Sequence, residues 1–488
     1  MYNVNKLREV FPDTTVYKDQ TVMATFLSAA VPAFLRDWIL KRKAGNDGRI
    51  ADSNELVAYI ADIIPRREQR LSLEDTARSN GETKKFLARV DIQFNIRSNH
   101  YSFEISDLGI THNQTYIEDY VWERIKDEVM HTSGGWGLVK LGYITPEEIN
   151  ESGRSKGGKL TLLDYKNFCP YEVNLDAFRE ARKEFNIDEW VDIILGAIDY
   201  NPDGYSDWFE KHTLLTRILP FIEPRVNLVE LAPKGTGKSY LFGRVGKYGW
   251  LASGGTLTRA KLFYDLAAKK TGLVSAYDFI AMDEIQSIRF DDPNEMQGAL
   301  KAYMESGEAT FGQNKIIGTA GVILLGNIPR EDMDITKDMF QTLPVIFRES
   351  ALLDRFHGFI QGNNIPRMTE NLKINGWALN TEYFTEIMHL LRKQSECMRY
   401  RNVVEELVDY PPGADTRDKE AVLRVCTAYL KLFFPHWINA TSVVRGEFNQ
   451  YCLRPAVKMR EIIRSQLQLL DPIEFGGKNL AAFSLKEL

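Results

Sequence analysis

"NLVELAPKGTGKSYLFG", residues 227–243, joins an apolar run (Leu228, Val229, Leu231) to a loop of small and cationic residues and then to the start of a helical pattern. Small residues let consecutive backbone N–H groups curl around an anion, and the positive end of the following helix favours it. Gly235, Gly237, Lys238 and Ser239 match a phosphate-binding loop in all but its first position, where Ala232 stands for the usual glycine. The expected nucleotide cradle is Lys234, Gly235, Thr236, Gly237, Lys238, Ser239 and Tyr240. In it Lys238 reaches the β- and γ-phosphates of ATP and Ser239 ligates Mg²⁺. The plain alternative is a glycine-rich strand-to-helix turn.

A loop that works on ATP needs carboxylates for Mg²⁺ and for the attacking water. In "YDFIAMDEIQS" an apolar strand, Phe279 to Met282, delivers Asp283 and Glu284 at its C-terminal end, where open α/β sheets place their ligands. Asp283 is expected to complete the Mg²⁺ shell and Glu284 to polarise water. A third apolar strand, "AGVILLGNI", ends in Asn327, suited to orienting that water or sensing the γ-phosphate. "ESALLDRFHGFI" follows with Arg355, read either as an arginine finger for a neighbouring subunit's γ-phosphate or as a local salt bridge with Asp354 or Glu349. His357 beside it reads as packing. The order of phosphate loop, Asp-Glu strand, Asn strand, Arg and helical lid resembles the AAA+ ATPases. In "GADTRDKEAVLRV" that resemblance makes Arg417 the lid arginine touching the γ-phosphate, with a salt bridge near the helix cap as its alternative.

Outward from this core, residues 1 to about 75 carry helical spacing, and "KKFLARVDIQFNIR" then alternates as a half-buried strand. Further strands in "NHYSFEISDL" and "GWGLVKLGYI" flank a helix near residues 117–128, giving an α+β unit over 1–146. The polar, glycine-rich "ESGRSKGGKL" reads as a linker, and 147–185 as linker and connecting helix. Alternating strands and amphipathic stretches make 186–365 an α/β ATPase core with a parallel sheet. Residues 366–488 are expected to be a helical lid and C-terminal helices.

The 488 residues suit two to four domains, and a net charge of −6 excludes a uniformly basic surface. Any nucleic-acid contact must be local. Four scattered cysteines and seven histidines without paired-ligand spacing argue against a disulfide frame or a structural metal. "TVMATFLSAAVPAFL" lacks a basic leader and contains Pro32, and no apolar run is long enough to span a bilayer. A cytoplasmic protein without membrane contact is expected.

In "LKAYMESGEATFGQNKIIGTAGVILLGN" (300–327) a helix is followed by strand, turn and strand. This resembles the pore hairpin of MCM-type helicases, with Asn314 in the turn and Lys315 near the tip. Five stretches, "VYKDQTVMATFLSAAVPAFLRDWIL", "NLVELAPKGTGKSYLF", "AKLFYDLAAKKTGLVSAYDFIAMDEI", "LLDRFHGFIQG" and "CLRPAVKMREIIRSQL", together resemble the BrxL family of the bacteriophage exclusion (BREX) defence systems. That resemblance implies an N-terminal domain and an MCM-like ATPase core. It also implies hexameric rings, two of them stacked in one version, around double-stranded DNA, with other phage-defence proteins as partners. Many family members carry a Lon-protease-like domain. Here the sequence ends at Leu488 soon after the lid helices and shows no Ser–Lys pair beyond them, so no protease activity is expected. Lys315 and Asn314, with Arg89 and Arg97 among clustered N-terminal cations, are the expected DNA contacts; the bland reading of that cluster is a solvated face. The rival readings are a polypeptide unfoldase, whose pore loops present an aromatic–apolar pair, and a switch in which ATP controls assembly alone.

Overall fold

Five short strands, β1 (Leu228–Ala232), β2 (Gly249–Ser253), β3 (Phe279–Asp283), β4 (Gly321–Asn327) and β5 (Gly358–Gln361), lie parallel in the order β5-β1-β4-β3-β2. The computed structural model describes residues 2–95, 99–130, 135–145, 157–266 and 270–487. β1, β3 and β4 are near-continuous apolar runs because a parallel sheet is covered on both faces. β4 separates β1 from β3, so the segments leaving all three strands emerge side by side at one edge. The register sets Asn327 opposite Ala232.

The described residues form two compact units. The first comprises 1–20, 31–42 and 173–488 and holds this sheet. Its N-terminal segment contributes a strand, Thr15–Lys18, paired antiparallel with Gly376–Leu379. That strand was not legible in a stretch of helical spacing. Helices Thr416–Phe433 and Arg454–Leu470 pack together, and the buried Arg460 ties both to the turn before β5. Its guanidinium bonds Asp418, the Asp354 carboxylate and the carbonyls of Asp354 and Phe356.

The second unit comprises 21–30 and 43–172. It holds helices Ser53–Ile63, Arg70–Asn80 and Asp119–Met130 and a four-stranded sheet ordered Phe86–Arg89, Trp136–Ile144, Lys159–Asn167, Thr115–Tyr116. The boundary expected at residue 146 is therefore displaced. Lys159–Asn167 pairs antiparallel along Trp136–Ile144 as one of the two longest strands of this sheet, and only 157–160 of the expected linker stretch is described. A glycine-rich, basic entry hid a strand whose buried run starts at Leu160. The single strand expected from residue 84 onward divides at Val90: Phe86–Arg89 pairs with Trp136–Val139, whereas Asp91–Asn95 pairs with His100–Glu104. Alternation reports which face a side chain takes, not which strand it pairs with. Among the described residues no helix is long and apolar enough to cross a membrane.

Candidate functional site

The loop after β1 turns on two glycines in left-handed backbone, Gly235 at φ 87° and Gly237 at φ 82°, conformations that side chains resist. The helix that follows is α-helical only over Lys238–Tyr240 and widens to a π turn over Leu241–Val245, a deviation often found at functional positions. Lys238 is 6% exposed. Its ammonium donates to Asn327 Oδ1 at 3.1 Å, a neutral amide, and among the described residues no carboxylate pairs with it. Burial lowers its pKa. A buried cation whose hydrogen-bond partner among the described residues is an amide, with the Glu230 and Asp283 carboxylates acting on it from farther off, can receive an anion: a closer negative partner relieves its desolvation cost.

Ser239 Oγ donates to Asp283 Oδ2 at 2.5 Å, joining the loop after β1 to the end of β3. Asp283 Oδ1 accepts the Glu284 amide at 3.0 Å. Glu284 is exposed and left-handed, φ 48°, a conformation uncommon for a residue with a Cβ. Gln286, which carried no mark in the sequence, donates to the Asn327 carbonyl at 3.2 Å and so braces the end of β4. Lys238, Ser239, Asp283 and Asn327 are thus brought together, with Glu284 at the rim. The hydroxyl of Ser239 and the carboxylate of Asp283 are hard oxygen donors of the kind Mg²⁺ selects.

Tyr240 departs from the expected cradle. Its hydroxyl donates to Asp199 Oδ2 at 2.6 Å and accepts from Arg36 at 3.1 Å, so the side chain anchors the helix from behind. Burial works to raise the Asp199 pKa, but Arg36 and Lys18 outweigh it and hold this carboxyl well below its usual range. Two further residues that sequence reasoning missed, Arg217 and Glu230, stand behind the loop: they bond each other, and Arg217 also donates to Thr236. Glu230 was signalled by being a carboxylate inside an otherwise apolar strand. Nothing local marked Arg217.

The two arginines after β4 share one carboxylate. Arg355 Nε stands 2.9 Å from Glu305 Oε2, an ion pair whose angle falls short of a hydrogen bond. Arg417 reaches the same oxygen at 3.4 Å and Asp354 at 2.9 Å. Arg355 thus pairs with neither Asp354 nor Glu349; Asp354 also takes Arg460, and Glu349 takes Lys301. The Arg417 side chain is directed to Arg355's surroundings rather than to the loop after β1. Both corrections have one cause: helix Pro293–Ser306 delivers Glu305 across a long sequence separation. His357 is buried, accepts the Asn227 amide on Nδ1 and splices β5 to the start of β1, a packing role.

The hairpin Glu308–Phe311/Asn314–Ile317 turns on Gly312 and Gln313 alone, with Gly312 at φ 58° as a two-residue turn of this kind requires. Asn314 therefore lies in the strand opposite Phe311, and Lys315 sits one rung below the turn opposite Thr310. The Lys315 side chain is 58% exposed and pairs with Glu308 at 2.8 Å. Phe311 is buried. In the second unit Arg89 ends its strand opposite Trp136, and Arg97 lies outside the described residues. Of its neighbouring cations, Arg70 pairs with Glu74 and Lys85 with Asp164.

Comparison with known proteins adds a family to this geometry. Residues 160–481 match the family described as "Lon-like protease BrxL-like, ATPase domain", and residues 9–143 match "BREX system Lon protease-like protein BrxL N-terminal". A protein named Lon-like protease BrxL from Escherichia coli O9:H4 (strain HS) is 29% identical over 97% of this chain and 66% of its own length. One of the same name from Bacillus cereus (strain H3081.97) is 26% identical over 98% of this chain and 68% of its own. The chain thus spans about two-thirds of the length of these curated relatives. An uncharacterized protein, ORF426, of Acidianus filamentous virus 1 is 25% identical over 40% of this chain and 51% of its own.

Proposed function

The chain belongs to the BrxL family of the BREX systems, and from that premise we propose that it is a ring-forming AAA+ ATPase that encircles double-stranded DNA and couples ATP hydrolysis to movement or remodelling in phage defence. The observation that carries the nucleotide part is the buried Lys238, bonded to neutral Asn327 and, among the described residues, paired with no carboxylate, beside the Ser239–Asp283 pair. Lys238 takes the β- and γ-phosphates, and the loop amides cradle them. Ser239 and Asp283 hold Mg²⁺, which when bound neutralises phosphate charge. Glu284 accepts a proton from the attacking water, and Asn327 keeps Lys238 and that water in place. Arg355, with Arg417 beside it, serves the neighbouring subunit's γ-phosphate. Helices after residue 366 act as the lid.

DNA is favoured over polypeptide by the hairpin. Its exposed face carries Thr310, Ile317 and the Lys315–Glu308 pair, while Phe311, the aromatic a polypeptide grip needs, is turned inward. Glu284→Gln tests the reading, because it removes the carboxylate's basicity at nearly constant shape. The variant should bind ATP as tightly as wild type and hydrolyse it about 100-fold more slowly or worse. An equal loss of ATP affinity would assign Glu284 to binding instead. Wild-type protein that neither binds ATP nor retains duplex DNA would refute the proposal.

A further inference from the structure

We propose that the buried pair Arg217–Glu230 is the positioning device of the phosphate loop: it aims a backbone N–H at the nucleotide by holding a carbonyl on the opposite side. The inference rests on the nucleotide reading above and adds to it a pair of residues that touch no nucleotide.

Thr236 stands between Gly235 and Gly237, both in left-handed backbone. Glycines fit that backbone without strain but leave it the greatest freedom to abandon it. The loop's own residues therefore do not hold its shape, and something outside them must. Arg217 and Glu230 are both 0% exposed. Glu230 is the middle residue of β1, a rigid interior strand, and it grips Arg217 with both oxygens, Nε to Oε2 at 2.9 Å and Nη2 to Oε1 at 2.5 Å. Two further guanidinium N–H groups then reach Thr236, one to its carbonyl at 2.7 Å and one to its hydroxyl at 3.0 Å. The planar fork of arginine makes both pairs of bonds at once, which a lysine cannot.

The consequence follows from the peptide plane. The carbonyl of Thr236 and the N–H of Gly237 belong to one trans amide and point in opposite directions. Fixing the carbonyl on Arg217 turns the Gly237 N–H to the side away from Arg217. The preceding amide is treated alike, for the Gly235 carbonyl accepts the Met368 N–H at 2.8 Å and so orients the Thr236 N–H. Among the described residues neither N–H donates to a backbone carbonyl. Two consecutive donors are thus set by contacts on their far side before a phosphate arrives, which is preorganisation in the sense that matters for anion binding. Stability gives no comparable reason for the pair, since a buried ion pair returns about what its desolvation costs.

Arg217→Met with Glu230→Leu replaces the pair by apolar side chains of similar volume, an exchange that for the ion pair itself costs little but leaves the Thr236 carbonyl and hydroxyl without their donor. The double variant should lose only a few degrees of melting temperature, yet bind ATP and ADP at least about tenfold more weakly, with KM raised more than kcat is lowered. Wild-type affinity in a folded double variant would overturn the proposal and leave the nucleotide reading intact. Should the double variant not fold, Glu230→Gln keeps shape and one acceptor while loosening the grip on Arg217. It should raise KM several-fold without moving the melting temperature in proportion, and an unchanged KM there would overturn the proposal equally. Wild-type protein that binds no nucleotide would remove the premise and the proposal with it.

Discussion

Lys238 and Arg355 are cations at the ends of strands of one sheet, and they meet opposite surroundings. Lys238 is buried, its pKa is lowered by that burial, and its ammonium bonds a neutral amide. Arg355 shares Glu305 with Arg417, which Asp354 also holds. The first makes no ion pair among the described residues, though Glu230 and Asp283 act on it from farther off, so it is free to take an anion from solution. The second already has a carboxylate partner, which it shares with Arg417. Glu305 is 49% exposed, and an ion pair so open to water is worth about 1 kcal/mol or less. A multiply charged phosphate presented by another subunit can displace such a partner, whereas a monovalent surface carboxylate cannot hold it off. On the proposed reading the first arrangement would bind within the subunit and the second would serve as a contact across subunits.

The sharpest way to break this contrast is Arg355→Ala. If the residue acts across subunits, ATP binding should persist while hydrolysis falls about 10³-fold, the scale of a missing arginine finger. Mixing it with Lys238→Ala subunits should restore partial hydrolysis wherever an intact loop faces an intact arginine. No recovery at any ratio, in assemblies shown to be mixed, would return Arg355 to a local ion pair with Glu305.

Lys238→Ala should cost roughly 2–5 kcal/mol of ATP binding, about 30-fold in affinity or more, as expected on deleting one partner of a buried charged contact. Titration with a fluorescent ATP analogue measures it. A weakening of only twofold would mean that the loop amides bind the phosphates alone and that the buried ammonium is incidental.

Acidification reaches the arginine side first. His357 follows Arg355 by two residues and is buried facing Arg424, Arg460, Arg225 and Arg401; burial first, and these cations second, hold its pKa well below 6.5. The unfolded chain therefore binds this proton more readily. Stability contributed by the neutral ring is complete above about pH 6.5 and is lost as pH falls towards the folded pKa. Burial likewise pushes His212 down to about 3. Each ring steepens the fall by up to about 1.4 kcal/mol per pH unit. Urea unfolding should show declining stability below pH 6.5, with a shallower slope in His357→Asn. A flat profile across that window would contradict the buried neutral imidazole.

The smallest effect belongs to Lys315→Ala. Each subunit offers one ammonium, and Glu308 already competes for it. The salt dependence of duplex binding should drop by about one unit for each phosphate that is no longer neutralised, with sequence preference and basal hydrolysis unchanged. Identical salt slopes and identical stimulation by DNA would remove the hairpin from the DNA surface and, with it, the preference for DNA over polypeptide.

What the sequence determined by itself was whatever one strand and its own C-terminal end could express. "LVELAPKGTGKS", "FIAMDE" and "GVILLGN" each join an apolar run to a polar residue within a few positions, so Lys238, Asp283, Glu284 and Asn327 stand out as candidates without knowing how the strands are ordered. Periodicity likewise showed the helices and the alternation of the second unit. Only the tertiary structure decided who meets whom. The order β5-β1-β4-β3-β2 puts Asn327 beside Lys238, helix Pro293–Ser306 brings Glu305 to Arg355 and Arg417, and Arg217 finds Glu230 and Thr236. A long cation says nothing in sequence about which carboxylate it will reach. Its reach covers several alternatives of nearly equal Coulomb energy at the surface, and only strand order, register and burial separate them.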